Sequence, residues 1–147
     1  MGVSASHHRP LFARPSLLLL VVAGGAVGTA VRSTIEDRYP HAPGGWPWAT
    51  FVINVTGSFL LGALVAWLAR GGPDEGRRRQ ARLGLGTGVL GGFTTYSTFV
   101  VEADTLLRDG HVGIGLAYAA TSVALGVAAA AGGFLLAGHL RRRTAAS

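Results

Sequence analysis

The nine residues "GGFTTYSTF", from Gly91 to Phe99, carry side chains that could hold a polar ligand in an otherwise apolar stretch. Two glycines precede five consecutive hydroxyl residues, counting Tyr96, and three aromatic rings stand among them. Hydroxyl groups both donate and accept hydrogen bonds. Glycine and most hydroxyl residues are poor helix formers and give lipid little to pack against. So much backbone freedom and polarity within an apolar run indicates a functional segment.

Asn54 is the only amide side chain within an apolar run. Asn54, Ser58 and Gly62 are spaced four residues apart and therefore share one face of a helix. Two interpretations remain open. Asn54 glues two helices together while small neighbours allow close approach, or it donates an amide proton to something in a pore. A polar residue inside a membrane is costly enough to indicate function.

Two further helix faces carry polar residues at four-residue spacing. On the first, Gly24 and Gly28 are typical of close helix packing, and Arg32 either extends to the interface or draws anions into a vestibule. On the second, Tyr118, Ser122 and Gly126 indicate either packing or a line of hydroxyls along a polar path. Three acidic residues lie at the end of one apolar run and after it: Glu102, Asp104 and Asp109. An interfacial position is predicted for the last two.

The composition of the 147-residue chain favours a membrane protein of one domain. Hydrophobic residues make up 49% and charged residues 14%, and the mean hydropathy is +0.40. The absence of cysteine excludes disulfides and thiolate metal sites. All 13 basic residues are arginine, and the formal net charge is +6. The arginines cluster at the ends of apolar runs, which indicates orientation in a membrane rather than nucleic-acid binding.

Four apolar runs are near or above the ~20 residues that a membrane-spanning helix needs. Because backbone groups in lipid must be satisfied internally, the runs are predicted to be helices. A loop rich in proline and glycine follows the first run, a polar loop follows the second, and a tight turn follows the third. The two ends are predicted to be disordered. The predicted ranges are: tail 1–15; helices about 16–35, 48–69, 81–107 and 112–140; basic tail 141–147.

The first run has one rival interpretation, a cleavable signal peptide, because basic residues precede it and small residues end it. Three further spans favour a multi-pass protein whose first span needs no cleavage. With four spans, both ends and the second loop lie on one side, together with ten arginines. The other side has Arg38 and Arg108, with Arg32 near the end of the first helix. The positive-inside rule therefore predicts cytoplasmic termini.

No catalytic constellation is visible, so the chain is not predicted to be an enzyme. All five histidines lie in loops, tails or near a run's end, and no run pairs a serine with a base. Phosphate-binding glycine motifs follow a strand, and none is predicted.

The motifs together resemble one family, the fluoride channels of the CrcB/Fluc type. "GGFTTYSTF" is similar to the family's GG-x-TTFSTF, and "GGAVGTAVR" is similar to its GG-x-x-G-x-x-x-R. "ATFVINVTGSFLLG" resembles its second-helix motif, with Ala49 in place of the first glycine. Glu102 follows the signature as the family's glutamate does, and Tyr118 and Ser122 match its fourth-helix pattern. The resemblance covers about Val22 to Gly126.

The resemblance implies an all-α membrane protein with four transmembrane helices, the third broken at Gly91–Thr95, that forms an antiparallel, dual-topology dimer. It implies passive fluoride export that lowers cytoplasmic fluoride and relieves toxicity. One structural sodium ion would lie at the dimer interface, on the backbone carbonyls of Gly91 and Thr94. The glycines, lacking a Cβ, would permit the break. The implied fluoride pathway comprises Arg32, Asn54, Thr95, Tyr96, Ser97, Thr98, Phe99, Tyr118 and Ser122.

One departure concerns Tyr96, where the family usually has phenylalanine, because the added hydroxyl changes one ring edge. The sequence argues against two rival functions. A proton-coupled drug exporter needs a carboxylate embedded in an early helix, and the first two runs contain none. A non-transporting assembly subunit explains the small residues but not the polar signature. The arginine imbalance further predicts a heterodimer with a homologous subunit of opposite bias, in preference to a homodimer.

Overall fold

The computed structural model describes residues 15–69 and 73–144, which are helical apart from short connections. We number the helices in chain order: α1 (Pro15–Arg38), α2 (Trp48–Ala69), α3 (76–93), α4 (Ser97–Arg108) and α5 (Val112–Thr144). Helix α3 has three consecutive parts: an α-helical turn and a half at Gly76–Ala81, a wider π-helical stretch at Arg82–Leu90, and a last α-helical turn at Gly91–Phe93. Long π-helical stretches are rare.

The observed bounds extend the predicted ones. Helix α1 runs three residues beyond Ile35, to Arg38, and α5 continues past Leu140 to Thr144. Disorder was predicted for residues 1–15 and 141–147, but residue 15 and residues 141–144 are helical, and the rest of both tails lies outside the described residues. Arg70, in the second loop, also lies outside the described residues.

Within the described ranges, three helices are long and apolar enough to cross a membrane, at Pro15–Arg38, Trp48–Ala69 and Val112–His139. The third predicted run, 81–107, is not one helix but parts of two, α3 and α4, with an interruption between them. The break was predicted, and it lies slightly later than expected, because Gly91–Phe93 is still helical. Large apolar side chains face outward, including Leu19 at 68% and Val22 at 67% exposed, as lipid contact requires.

A seam of glycines joins α1 to α3. A Cβ added at Gly24 would lie 2.6 Å from the carbonyl oxygen of Gly84, and one added at Gly28 would collide with the carbonyl of Val89. Gly88 is equally close to α1, since its added Cβ would lie 3.1 Å from the Cα of Gly24. The two backbones therefore touch without intervening side chains, and the predicted packing role of Gly24 and Gly28 is confirmed.

A second, shorter seam joins α2 to α5. A Cβ at Gly62 would collide with the carbonyl of Ala130, and one at Gly133 with the carbonyl of Phe59. The most extensive packing in the subunit is thus between α1 and α3 and between α2 and α5, whereas α1 and α2 hardly touch. Helix α4 packs on α5.

Replacing Gly28 with alanine should lower the stability of the fold by about 1–3 kcal/mol, because the added methyl group must push α1 off α3. Thermal unfolding of the detergent-purified protein measures this. Gly132→Ala is the matched control, since a Cβ there meets nothing within 4 Å and alanine has the better helix propensity. An unchanged midpoint for Gly28→Ala would contradict the packing described here.

Candidate functional site

The interruption between α3 and α4 consists of Thr94, Thr95 and Tyr96. Thr94 is extended, with φ −78° and ψ 152°, and the helix resumes at Ser97. The predicted cause of the break was wrong in one respect. Gly91 is in ordinary helical geometry, with φ −65° and ψ −34°. Gly92 instead serves close packing, because its added Cβ would lie 3.0 Å from the Cα of Gly25.

The side chain of Asn54 holds the broken backbone open from α2. Its Nδ2 donates to the carbonyl oxygen of Thr95 at 2.8 Å, and its Oδ1 accepts from the Thr95 N–H, also at 2.8 Å. The amide thus replaces both backbone partners that Thr95 would have in a continuous helix. Of the two interpretations left open for Asn54, the structural one is observed, and its second Nδ2–H is left over for another acceptor.

Thr95 also starts the next helix with its own side chain. Its Oγ1 accepts from the N–H of Thr98 at 3.1 Å, as a capping hydroxyl does. The same hydroxyl donates to the Thr98 Oγ1 at 3.0 Å and lies 3.3 Å from the Ser97 Oγ. Thr95 is buried, at 9% exposed. The three hydroxyls predicted to face an anion therefore form one connected cluster at the start of α4.

Three carbonyls at the break, those of Gly91, Phe93 and Thr94, lose the donors a helix would supply. The N–H of Thr95, four residues after Gly91, goes to Asn54, and the N–H of Thr98, four after Thr94, goes to the Thr95 hydroxyl. The carbonyl of Gly92 is held differently, by Thr29 Oγ1 at 3.4 Å and Arg32 Nε at 3.3 Å. The freed oxygens thus include those of Gly91 and Thr94, the two that the family resemblance implies as ligands.

Arg32 lies on α1 and contacts the backbone just before the break. Besides the Gly92 carbonyl, its guanidinium binds the Glu36 carboxylate at 2.8 Å, and both side chains are about four-fifths buried, at 20% and 22% exposed. Extension to the lipid interface, one of the two predicted roles, does not describe this position. The residue fixes α3 to α1 at the point where α3 ends.

A cleft of about 340 Å³ opens beside the break. Asn54, Tyr96, Phe99 and Ser122 line it, with Gly91, Thr94 and Thr95 from the break itself. Ser122 Oγ is buried and has no hydrogen-bond partner among the described residues. Tyr96 is 79% exposed, so most of its ring is not covered by the described residues. The cleft therefore combines unpaired donors, ring edges and freed carbonyls on one open side of the subunit.

Aromatic rings lead from the cleft to a carboxylate. The Phe99 ring lies 6.2 Å from Tyr96 and 5.3 Å from Tyr118, measured between centroids. The fully buried Tyr118 hydroxyl donates to Glu102 Oε2 at 2.7 Å, and Thr50 Oγ1 donates to Oε1 at 2.8 Å. The sequence interpretation missed Thr50, although it lies in the quoted second-helix motif one turn before Asn54. The predicted interfacial Asp104 pairs in the open with Arg108, at 2.6 Å.

The comparisons with known proteins agree on one family. The sequence profile described as "CrcB-like protein, Camphor Resistance (CrcB)" matches residues 19–134. A "Fluoride-specific ion channel FluC 2" of Leifsonia xyli is 52% identical over 119 residues, 81% of each chain. A "Fluoride-specific ion channel FluC 1" of Cutibacterium acnes is 49% identical, over 77% of this chain and 79% of its own. A "Fluoride-specific ion channel FluC" of Hyphomonas neptunium is 47% identical, over 76% and 87%.

Proposed function

We propose that this chain, which belongs to the CrcB-like protein family, is a subunit of a fluoride-specific channel in the cell membrane. It is a multi-pass membrane protein that passes fluoride out of the cell and lowers its cytoplasmic concentration. Permeation makes and breaks no covalent bond, and the chain is not an enzyme. The membrane potential drives the anion outward with about 2.3 kcal/mol per charge per 100 mV.

The observation that carries the proposal is the Asn54 clamp on the helix break. Non-helical backbone at membrane depth is tolerated only when buried in protein or lining a cavity. Here α2 supplies both substitute partners for Thr95, and the break faces a cleft. The left-over amide proton of Asn54, the unpaired hydroxyl of Ser122 and the rings of Tyr96 and Phe99 supply contacts for a small anion.

The cleft is open on one side, which supports assembly into a dimer. A ring as exposed as Tyr96 in a membrane protein calls for a partner surface. In this proposal, α3 and α4 together cross the membrane once, between α2 and α5 in chain order, which brings the number of crossings to four. Two antiparallel subunits then bring their breaks together, and each pore is lined by both.

A structural sodium ion is part of the proposal. Hard cations take oxygen ligands, and the donor set fits, because the break frees the carbonyls of Gly91 and Thr94 while Arg32 and Asn54 occupy those of Gly92 and Thr95. These two carbonyls, with their copies in a second subunit, would hold the ion. Its positive charge would offset the converging carbonyl dipoles.

Dimers purified throughout without sodium should unfold at a lower temperature than dimers in sodium, because an ion that binds only the assembled state stabilises it, by about 2.7 kcal/mol at 100 times its dissociation constant. Replacing sodium with N-methylglucamine at equal ionic strength is the control. Equal unfolding midpoints in the two salts would speak against the site.

The direct test of function is fluoride efflux from liposomes that contain the chain co-expressed with its homologous partner subunit, followed with a fluoride electrode. The channel proposal expects passive fluoride efflux and no comparable chloride efflux. A proton-coupled exporter would require a pH gradient, and an assembly subunit would give no efflux at all. Either of these results would refute the proposal.

The partner is proposed to be a homologous subunit with opposite orientation, giving a heterodimer. Arg32 is committed to Gly92 and Glu36 and does not count toward orientation. On the side of both termini the chain has ten arginines, against Arg38 and Arg108 on the other: Arg9, Arg14, Arg70, Arg77, Arg78, Arg79, Arg82, Arg141, Arg142 and Arg143. Such a bias favours one orientation, with cytoplasmic termini. The numbered names of two relatives fit more than one such chain in a cell.

A C-terminal reporter scored on both sides of the membrane should signal from the cytoplasm alone, and the chain expressed alone should give little efflux. The physical reason is that an antiparallel dimer needs both orientations, which ten arginines on one side oppose. Equal signals from both sides, or full efflux without a partner gene, would favour a homodimer. A variant with the arginines at 77–79 changed to glutamine is the matched control: it still has seven arginines on that side against two and should keep one orientation, whereas a variant that loses eight of the ten should gain dual orientation.

A further inference from the structure

A vestibule of about 540 Å³ lies where the loop between α1 and α2 covers one end of the subunit. Its lining includes two basic side chains, Arg38 and His41, and the indole of Trp46. The Trp46 Nε1 is buried and has no hydrogen-bond partner among the described residues. The Trp46 ring meets Tyr118 edge-on, with 5.5 Å between centroids. The vestibule therefore stands directly beside the carboxylate site of Glu102, Thr50 and Tyr118.

His41 is the vestibule residue that reaches this site. Its Nε2 lies 3.8 Å from Glu102 Oε1, and its Nδ1 lies 3.2 Å from the carbonyl oxygen of Ala42. A carbonyl accepts only, so the Nδ1 must carry the proton that is shared with Ala42. In the neutral ring the Nε2 lone pair then faces the carboxylate, whereas in the protonated ring an N–H does. Protonation turns an unfavourable contact into an ion pair.

The state of Glu102 matters to an anion that arrives here. Its carboxylate engages both nearby hydroxyl donors, Thr50 and Tyr118, and adds a negative charge at the end of the ring path. Like charges a few ångströms apart repel. We propose that His41 is a positioning residue for fluoride passage, which pairs with Glu102 in acid and thereby offsets the negative charge that repels the anion at the Thr50 and Tyr118 hydroxyls. This inference rests on the proposed function.

Other charged or titratable groups face His41 from the neighbouring elements. Glu102 comes from α4, Tyr118 from α5, and Arg38 and Tyr39 from its own segment. His111 lies in the turn between α4 and α5, and its ring packs against Gly44 of the loop between α1 and α2. Arg38 stays charged at every accessible pH. His111 is thus the second histidine at this end of the subunit, and it serves as the control.

The test is fluoride current across planar bilayers containing the reconstituted channel, at about pH 5.5 and pH 7.5 on both sides, a range in which histidine changes charge. Current is the proper measure because neutral hydrogen fluoride, which leaks through lipid in acid, carries none. We expect the wild-type current at the lower pH to be about threefold higher, the effect of a partly exposed ion pair. His41→Gln should abolish this ratio, and His111→Gln should retain it.

A wild-type current independent of pH would overturn the inference while leaving the channel function intact. So would a His41→Gln variant that keeps the full ratio, or a loss of the ratio in His111→Gln alone. A wild-type channel that passes no fluoride current at either pH would overturn the proposed function itself, and this inference with it.

Discussion

Replacing Asn54 with aspartate should reduce fluoride efflux by at least about a hundredfold while the protein remains folded. A carboxylate here places a negative charge beside the path of the anion. Two unit charges about 4 Å apart at an effective dielectric constant of about 20 repel by about 4 kcal/mol. At about 1.4 kcal/mol per tenfold in rate, a hundredfold loss needs about 2.8 kcal/mol, which is less than that repulsion. Aspartate also cannot donate to the Thr95 carbonyl that Asn54 now holds.

The measurement is initial fluoride efflux from liposomes, normalised to dimer recovered by gel filtration. Ser58→Ala is the matched control, because Ser58 lines the same cleft one turn along α2 but is not bonded to the break. We expect it to stay within tenfold of wild type. Near-normal efflux from dimeric Asn54→Asp would show that the anion does not pass beside this residue.

Replacing Phe99 with isoleucine should lower fluoride efflux by more than about tenfold. Isoleucine fills similar space but has no ring edge to present to an anion, and it also loses two ring pairs, with Tyr96 and Tyr118, worth about 0.5–1.5 kcal/mol each. Phe99 stands between Tyr96 and Tyr118, so its loss also interrupts the run of rings. The same efflux assay applies.

Two variants delimit the Phe99 result. Phe134→Ile makes the same change on the exposed face of α5 and should leave efflux unaltered. Tyr96→Phe keeps the ring and removes only its hydroxyl, and should be tolerated within about tenfold. Efflux from Phe99→Ile equal to that from Phe134→Ile would exclude the ring from the pathway. A larger loss of efflux in Tyr96→Phe than in Phe99→Ile would show that the tyrosine hydroxyl, and not the Phe99 ring, makes the decisive contact with fluoride.

The fold could be predicted from the sequence where the pattern is local. Apolar runs of membrane-spanning length define α1, α2 and α5 within a few residues. The interruption near residue 94 was expected from the family resemblance, which implied a break at Gly91–Thr95. The π-helical course of Arg82–Leu90, where Gly84 and Gly88 approach α1 closely, was not predicted from the sequence. A glycine in a sequence is usually interpreted as a flexible position, whereas Gly92 allows the backbone of α3 to pack against Gly25 of α1.

Part of the predicted fluoride pathway lies together in the structure, but the bonds of these residues could not be predicted. Asn54, Tyr96, Phe99 and Ser122 do line one cleft. Asn54 binds Thr95, which lies 41 positions later in the chain. Arg32 donates to the Gly92 carbonyl, which lies 60 positions later. No periodicity in the sequence encodes such pairings. Thr50 was missed for the same reason, since its partner Glu102 lies 52 positions away.

The interleaved packing of the subunit has a consequence for how it is made. Helix α1 finds its main partner in α3, so that Thr29 awaits Gly92, 63 positions later. At translation rates of about 5–20 residues per second, that interval lasts on the order of 3–12 s. During it the ribosome has delivered α1 and α2, which hardly touch each other, into the bilayer. The glycine face of α1 must therefore stay available in lipid, unclaimed by α2, until the second half of the chain emerges.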